Sequence, residues 1–186
     1  MKIYLAGPDV FLPNPLEIAA KKKAICTKYG FTGVFPMDTQ LDFTGLTLYQ
    51  KGMLIYRSDK ELMDYCDLII ANMTPFRGPS MDIGTGFELG YMAGQNKPLF
   101  AYSNDGRLYT KRVNQVAPGL DESGMSIDSF NCFDNLMIDG AICCSGGDLI
   151  VGNAPWGKYY TDVNLFEKVV KIAAEKLLKN KIKNDK

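Results

Sequence analysis

The chain has 186 residues, 46% hydrophobic and 23% charged, and its 21 Lys+Arg balance 21 Asp+Glu for a formal net charge of zero. Those proportions suit a soluble globular protein with one sizeable core, and a balanced charge gives no reason to expect nucleic acid as a partner. No histidine is present, so acid–base chemistry falls to Asp, Glu, Tyr, Cys or Lys, and zinc sites of the usual histidine-containing types are excluded.

Met1 leads directly into Lys2-Ile-Tyr-Leu-Ala-Gly7, which reads as a short strand and turn. There is no signal-peptide h-region and no apolar run of about 18 residues, so the expectation is a cytoplasmic protein without a membrane segment. The first strand covers Ile3 to Ala6 and is ended by Gly7-Pro8. Asn14-Pro15 opens a helix, with Asn as N-cap and Pro at the first helical position, and Gly30 stops it. Phe31 to Phe35 reads as a second strand. Thr47 to Tyr65 is helical, with Arg57, Lys60 and Glu61 among apolar positions. Leu68-Ile-Ile-Ala71 is the clearest buried strand, flanked by Asp67 and Asn72. A loop with Pro75 and Pro79 follows, then a helix over Gly84 to Gln95 and a strand over Pro98 to Tyr102.

Residues 103 to 135 are rich in Ser, Asn, Asp and Gly and read mostly as loop. A fifth strand is expected within Met137 to Cys144. Phe166, Val169, Val170, Ala173 and Leu177 recur at helical spacing, giving a final amphipathic helix. The polar tail from Lys179 to Lys186 is expected to fray. Alternating strands and helices predict an α/β protein with a parallel sheet and helices on both faces. The whole chain reads as one domain over residues 1–186. The five cysteines (Cys26, Cys66, Cys132, Cys143 and Cys144) are odd in number and lack C-x-x-C spacing, so they are read as reduced thiols.

In sheets of this kind ligands gather at the carboxyl ends of the strands, and four segments of the chain are candidates for chemistry. In Asp82-Ile-Gly-Thr-Gly-Phe-Glu88-Leu-Gly90, glycines crowd a loop-to-helix junction. The pattern is neither a Walker loop nor G-x-G-x-x-G, and the two carboxylates would repel a phosphate. Glu88 in an otherwise small and apolar run suits a nucleophile towards an oxocarbenium-like sugar carbon, with a solvated helix residue as the plain alternative. In Tyr4-Leu-Ala-Gly7-Pro-Asp-Val-Phe11, Tyr4 is either a core aromatic or a hydroxyl aimed at a catalytic carboxylate, and Phe11 is placed to stack on a base. Asp67, beside the buried strand, is either a loop carboxylate or the acid that protonates a departing base. In Asp134-Asn135-Leu-Met137, Asn135 suits sugar hydroxyls and Met137 adaptable apolar contact.

In order and spacing these segments resemble the nucleoside 2-deoxyribosyltransferase family over roughly residues 1–142. The resemblance rests on Ile-Tyr-Leu-Ala-Gly-Pro-x-Val-Phe, Cys66-Asp67, Pro75-Phe-Arg-Gly78, Asp82-x-Gly-Thr-x-Phe-Glu88-x-Gly and Asn135-Leu-Met. It implies a flavodoxin-like (Rossmann-like) five-stranded parallel sheet. It also implies Glu88 as the nucleophile that takes the deoxyribosyl group, Tyr4 as the residue that positions it, Asp67 as acid and base towards the nucleobase, and Asp82 as a ligand of the sugar hydroxyls. Gly7 and Phe11 are expected to line the substrate site. Asn135 and Met137 are implied to reach a neighbouring subunit's site, so the chain is expected to form homo-oligomers, dimers or assemblies of dimers. The substrates implied are 2'-deoxyribonucleosides and free nucleobases, with no metal or organic cofactor. Two alternatives stand beside transfer: hydrolysis of deoxynucleosides or their 5'-monophosphates at the same site, for which Arg77 is the one nearby cation, and nucleoside binding without turnover. The extension from about 143 to 186 and the segment from Thr110 to Ser129 have no counterpart in the pattern.

Overall fold

Strands form where β-branched and aliphatic residues run together between turn residues, and the computed structural model places five of them in one sheet. The described residues are 1–184 for the backbone and 1–178 for side chains. The sheet strands are β1 (Lys2–Ala6), β2 (Thr32–Val34), β3 (Leu68–Asn72), β4 (Leu99–Ser103) and, after a small antiparallel hairpin of β5 (Gln115–Ala117) and β6 (Leu120–Asp121), β7 (Leu149–Val151). All five pair in parallel in the order β2-β1-β3-β4-β7. The chain leaves β1 outwards to β2 and returns to place β3 on its other side. The switch point therefore lies between β1 and β3, where their carboxyl ends open a crevice.

Period-two alternation distributes the side chains between two helical layers. On one face Ile3, Leu5, Leu68, Ile70, Phe100 and Tyr102 pack against α1 (Pro15–Lys28) and α5 (Asn164–Asn184). On the other, Tyr4, Ala6, Ile69, Ala71 and Ala101 meet α2 (Leu48–Tyr65), α3 (Ile83–Gly94) and α4 (Leu136–Cys144). Every residue of β3 and β4 is buried, because helices cover both faces. Thr47 caps α2 reciprocally with Gln50, the capping box that starts the helix at Leu48. The flavodoxin-like five-stranded sheet expected from the sequence is thus the observed fold.

One element departs from expectation. Residues 136–144 form helix α4 and not a strand; the fifth strand is β7, a few residues later. Asn135 decides this locally, since its side-chain oxygen accepts a hydrogen bond from the Met137 amide at 3.0 Å and caps the helix. The apolar run that follows does not alternate, and only Ile142 of it is buried, against α3 and the sheet. The tail expected to fray is helical through Asn184, and residues 185 and 186 lie outside the described residues. All five cysteines are free thiols. Among the described residues no helix is long and apolar enough to cross a membrane.

Beneath the loop after β1, Asp9 and Lys22 of α1 form an ion pair at 2.7 Å with both side chains essentially excluded from solvent. The Lys22 ammonium lies 5.3 Å from the ring centres of both Tyr102 and Phe166, so its charge is met by a carboxylate and two π faces. Removing one partner strands the other charge in the core. Lys22→Met is expected to lower unfolding free energy by about 3–5 kcal/mol in urea titration; a loss below about 1 kcal/mol would show that the pair contributes little to the fold.

Candidate functional site

The crevice at the switch point holds a pocket of about 520 Å³. Its floor is built from three elements. The first is β1, whose alternation turns Tyr4 towards α2 and α3. Tyr4 is fully buried, and its hydroxyl donates to Glu88 Oε1 at 2.7 Å. The second is α3. Asp82 is its N-cap, with Oδ2 accepting from the Thr85 amide at 3.0 Å and the Thr85 hydroxyl at 3.3 Å. Thr85 and Glu88, at i and i+3, then share the face of α3 that lines the pocket. Gly84 lines it too, and a Cβ there would come within 2.9 Å of the capping carboxylate. The third is α2, where Ile55 and Asp59, at i and i+4, face the pocket together.

The loop after β1 closes one side with Gly7, Val10 and Phe11. Gly7 has φ +148°, and a Cβ would lie 2.6 Å from both the Asn72 Cβ and an Asp9 carboxylate oxygen, so no other residue fits between the two strands' ends. Met37, Leu41, Phe43 and Ile55 make the opposite wall apolar. A smaller hollow of about 250 Å³ lies between the start of α1 and Thr161, but its charged residues Glu17 and Lys21 are already paired with each other.

Apolar walls and clustered acids act together on protonation. Burial pushes the Glu88 carboxyl up to about 8, the Tyr4 hydroxyl pulls it back by donating to the ionised form, and the negative charges of Asp59 and Asp82 raise it further. Burial pushes Asp59 up to about 6. Asp59 Oδ1 is buried with no hydrogen-bond partner in the protein, which leaves it free for a group in the pocket. Tyr4 stays a neutral donor, because burial and then the Glu88 charge drive its ionisation well above the usual range. The site therefore offers a half-buried carboxyl group, Glu88, that keeps its proton to near neutrality and is held from behind by a phenol, a second carboxyl raised to about 6, and a capping aspartate.

The nucleoside 2-deoxyribosyltransferase profile matches residues 3–137, the stretch that builds this pocket. The chain belongs to the nucleoside 2-deoxyribosyltransferase family. It is 36% identical over 169 residues to an uncharacterised protein of Schizosaccharomyces pombe, covering 80% of each chain. Among solved structures it is similar to a 2-desoxiribosyltransferase from Leishmania mexicana, with 27% identity, TM-score 0.70 and coverage of 94% of this chain and 97% of that one. A conserved protein from Enterococcus faecalis shares the fold at 19% identity and TM-score 0.56, covering 92% and 98%.

Of the residues expected at a family site, the fold brings together Tyr4, Gly7, Phe11, Asp82 and Glu88. Asp67 is a correction. It is exposed at the amino end of β3, where its Oδ2 accepts from the Lys2 amide at 2.7 Å and its own amide donates to the Lys2 carbonyl. It thus closes the edge of the sheet opposite the pocket, and a five-residue strand separates the two edges by roughly 16 Å. The second carboxylate in the pocket is Asp59. A sequence signal for it existed: Asp59 lies four residues after Ile55 and four before the buried Met63, on the inward stripe of α2. Asn135 and Met137 do not line this chain's pocket. Both are exposed at the start of α4, Met137 by 71%.

The Glu88 shift carries a stability signature. Its folded value of about 8 lies above the ordinary 4.5, so the folded state holds the extra proton between those values and stability falls as pH rises through the window. Glu88→Gln removes that slope. Its melting temperature relative to the unsubstituted chain should climb from pH 4.5 to 8 and then level off; a difference constant across the window would mean that the carboxyl is not desolvated.

Proposed function

We propose that this chain cleaves the N-glycosidic bond of 2'-deoxyribonucleosides and passes the sugar to a second nucleobase through a covalent ester on Glu88. The observation that supports this best is the 2.7 Å Tyr4–Glu88 hydrogen bond on the floor of a pocket that also holds Asp59 and Asp82. A Glu88 carboxylate oxygen attacks C1', the C1'–N bond breaks, and the departing base takes a proton from Asp59. An incoming base then attacks C1', Glu88 leaves as carboxylate, and Asp59 receives the proton that the new nucleoside sheds. Two inversions give net retention. Burial that makes Glu88 a costly anion in the empty pocket strengthens its attraction to the positive charge that develops on the sugar. Asp82 is placed to accept from a sugar hydroxyl while its other role, capping α3, holds Glu88 at the right depth. Phe11 and the apolar wall offer faces for the base. When water takes the place of the second base, the same steps yield hydrolysis, so the product ratio depends on how well the bound base excludes water.

Asn135 and Met137 are read as contributions to a neighbouring subunit's site in a homo-oligomer. The exposed apolar side chains beside them on α3 and α4, Ile83, Phe87 and Leu136, support that reading. Diluting the chain to monomers should then abolish turnover, and a fully active monomer by sedimentation would rule the shared site out.

The deciding experiment is incubation with deoxyinosine and free adenine, with products separated by chromatography. Deoxyadenosine is the expected main product. Free deoxyribose and hypoxanthine without a new nucleoside would make the activity hydrolytic, and binding without any cleavage would refute both. Glu88→Ala should abolish turnover, and Asp59→Asn should lower kcat by about 10²–10⁴-fold, whereas Asp67→Asn should leave it unchanged. The reverse ranking of the two aspartates would restore Asp67 as the acid. Because the site works with one proton shared by Glu88 and Asp59, kcat/KM should be bell-shaped with limbs near 6 and 8. A profile flat from pH 5 to 9 would remove this pair from the chemistry.

A further inference from the structure

Residues 153–162 lie beyond the stretch matched by the family profile, yet they are bound to the loops that end β3 and β4. Asn104, just after β4, donates through Nδ2 to the carbonyls of Tyr159 at 2.9 Å and Asp162 at 3.1 Å, and its amide donates to the Thr74 hydroxyl at 3.0 Å. The Tyr159 hydroxyl donates to Asp105, which also takes the Arg107 guanidinium through Nε and Nη2. The segment is thereby a fixed wall and not a free appendage.

From that wall a stack of rings runs into the pocket. Tyr160 donates its hydroxyl to the Pro75 carbonyl and meets Phe76 edge-on, with ring centres 6.1 Å apart and planes at 85°. Phe76 stacks on Phe11 at 5.2 Å and 12°. The Arg77 guanidinium lies 4.6 Å from the Phe76 ring centre and 4.9 Å from that of Phe11. Arg77 adopts φ +56°, a left-handed backbone uncommon for a side-chain-bearing residue, which turns the loop back so that Phe76 and Arg77 both face Phe11. Phe11 lines the pocket and is 54% exposed. On a loop with that exposure, its ring plane is set by the stack behind it.

We infer that Tyr160 is a positioning residue for substrate binding: through Phe76 it fixes the plane of Phe11, and hence the surface offered to the nucleobase. This rests on the pocket being the nucleoside site. Tyr160 touches neither the reacting atoms nor Glu88, so its loss weakens base binding and spares the chemical step.

The test uses the full chain with Tyr160→Ala and Tyr160→Phe. An aromatic edge contact of this kind corresponds to roughly two- to tenfold in affinity. Tyr160→Ala should therefore raise KM for the deoxynucleoside by about that factor with kcat essentially unchanged, and Tyr160→Phe, which keeps the ring edge, should recover most of it. An unaltered KM in Tyr160→Ala, a fall in kcat that matches the rise in KM, or a Phe variant no better than Ala would overturn the assignment. Amide exchange at residues 9–12 of the unliganded chain reads the same coupling without catalysis. Tyr160→Ala should accelerate exchange there and leave β1 and β3 protected, and unchanged exchange overturns the inference. If the unsubstituted chain turns over no deoxynucleoside, the functional reading fails, while exchange at 9–12 still decides whether Tyr160 holds Phe11.

Discussion

A carboxyl group buried in apolar surroundings and held by a phenol is the constraint on which this structure turns. Glu88 sits behind a wall of Met, Leu, Phe and Ile side chains, and the hydroxyl that stabilises its charge comes from the fully buried Tyr4 of β1. Desolvation alone would keep Glu88 protonated; the Tyr4 hydrogen bond opposes this, and the nearby acids add to the desolvation. The result is a group whose protonation responds to what enters the pocket. A positive charge in the pocket favours the anion, and an empty pocket favours the acid.

Much of the surrounding architecture serves to hold that arrangement. The switch point between β1 and β3 opens the crevice, and β1 carries Tyr4 to its floor because its neighbours Ile3 and Leu5 face the opposite helical layer. Asp82 ends the approaching loop as a helix cap, and Glu88 follows on the same helix. The depth of the carboxylate is therefore set by helix geometry and not by a flexible loop. The loop after β1 is anchored below by the buried Asp9–Lys22 pair and braced from the side by the Phe76–Tyr160 stack. A buried ion pair, a poor source of net stability by itself, and aromatic packing here fix the geometry of one wall of the pocket.

The comparison of Asp67 with Asp59 shows where reading by proximity in sequence gives way. Asp67 adjoins the most apolar strand, yet a residue before a parallel strand belongs to the amino edge, whereas the crevice is at the carboxyl edge. Asp59 sits among charged neighbours on α2, and its polarity masks its place on the inward stripe with Ile55 and Met63. The run at 136–144 is similar: its residues are apolar enough for a strand, and the Asn135 cap is what commits it to helix.

Local signals in the sequence determined the parallel α/β class, the boundaries of α1 and α2 and the first four strands, while Glu88, Tyr4, Asp82, Phe11 and Gly7 are singled out by the order and spacing of segments that resemble a family. The local signals suffice because caps, turn glycines and apolar periodicity act within a few residues of the elements they define. Only the tertiary structure decided that Asp59 and not Asp67 shares the pocket, that β7 completes the sheet, and that the segment after residue 152 braces Phe11. Each of these depends on which edge or face an element presents once the sheet is assembled. That orientation is fixed by packing between residues tens of positions apart, and no short window of sequence carries it.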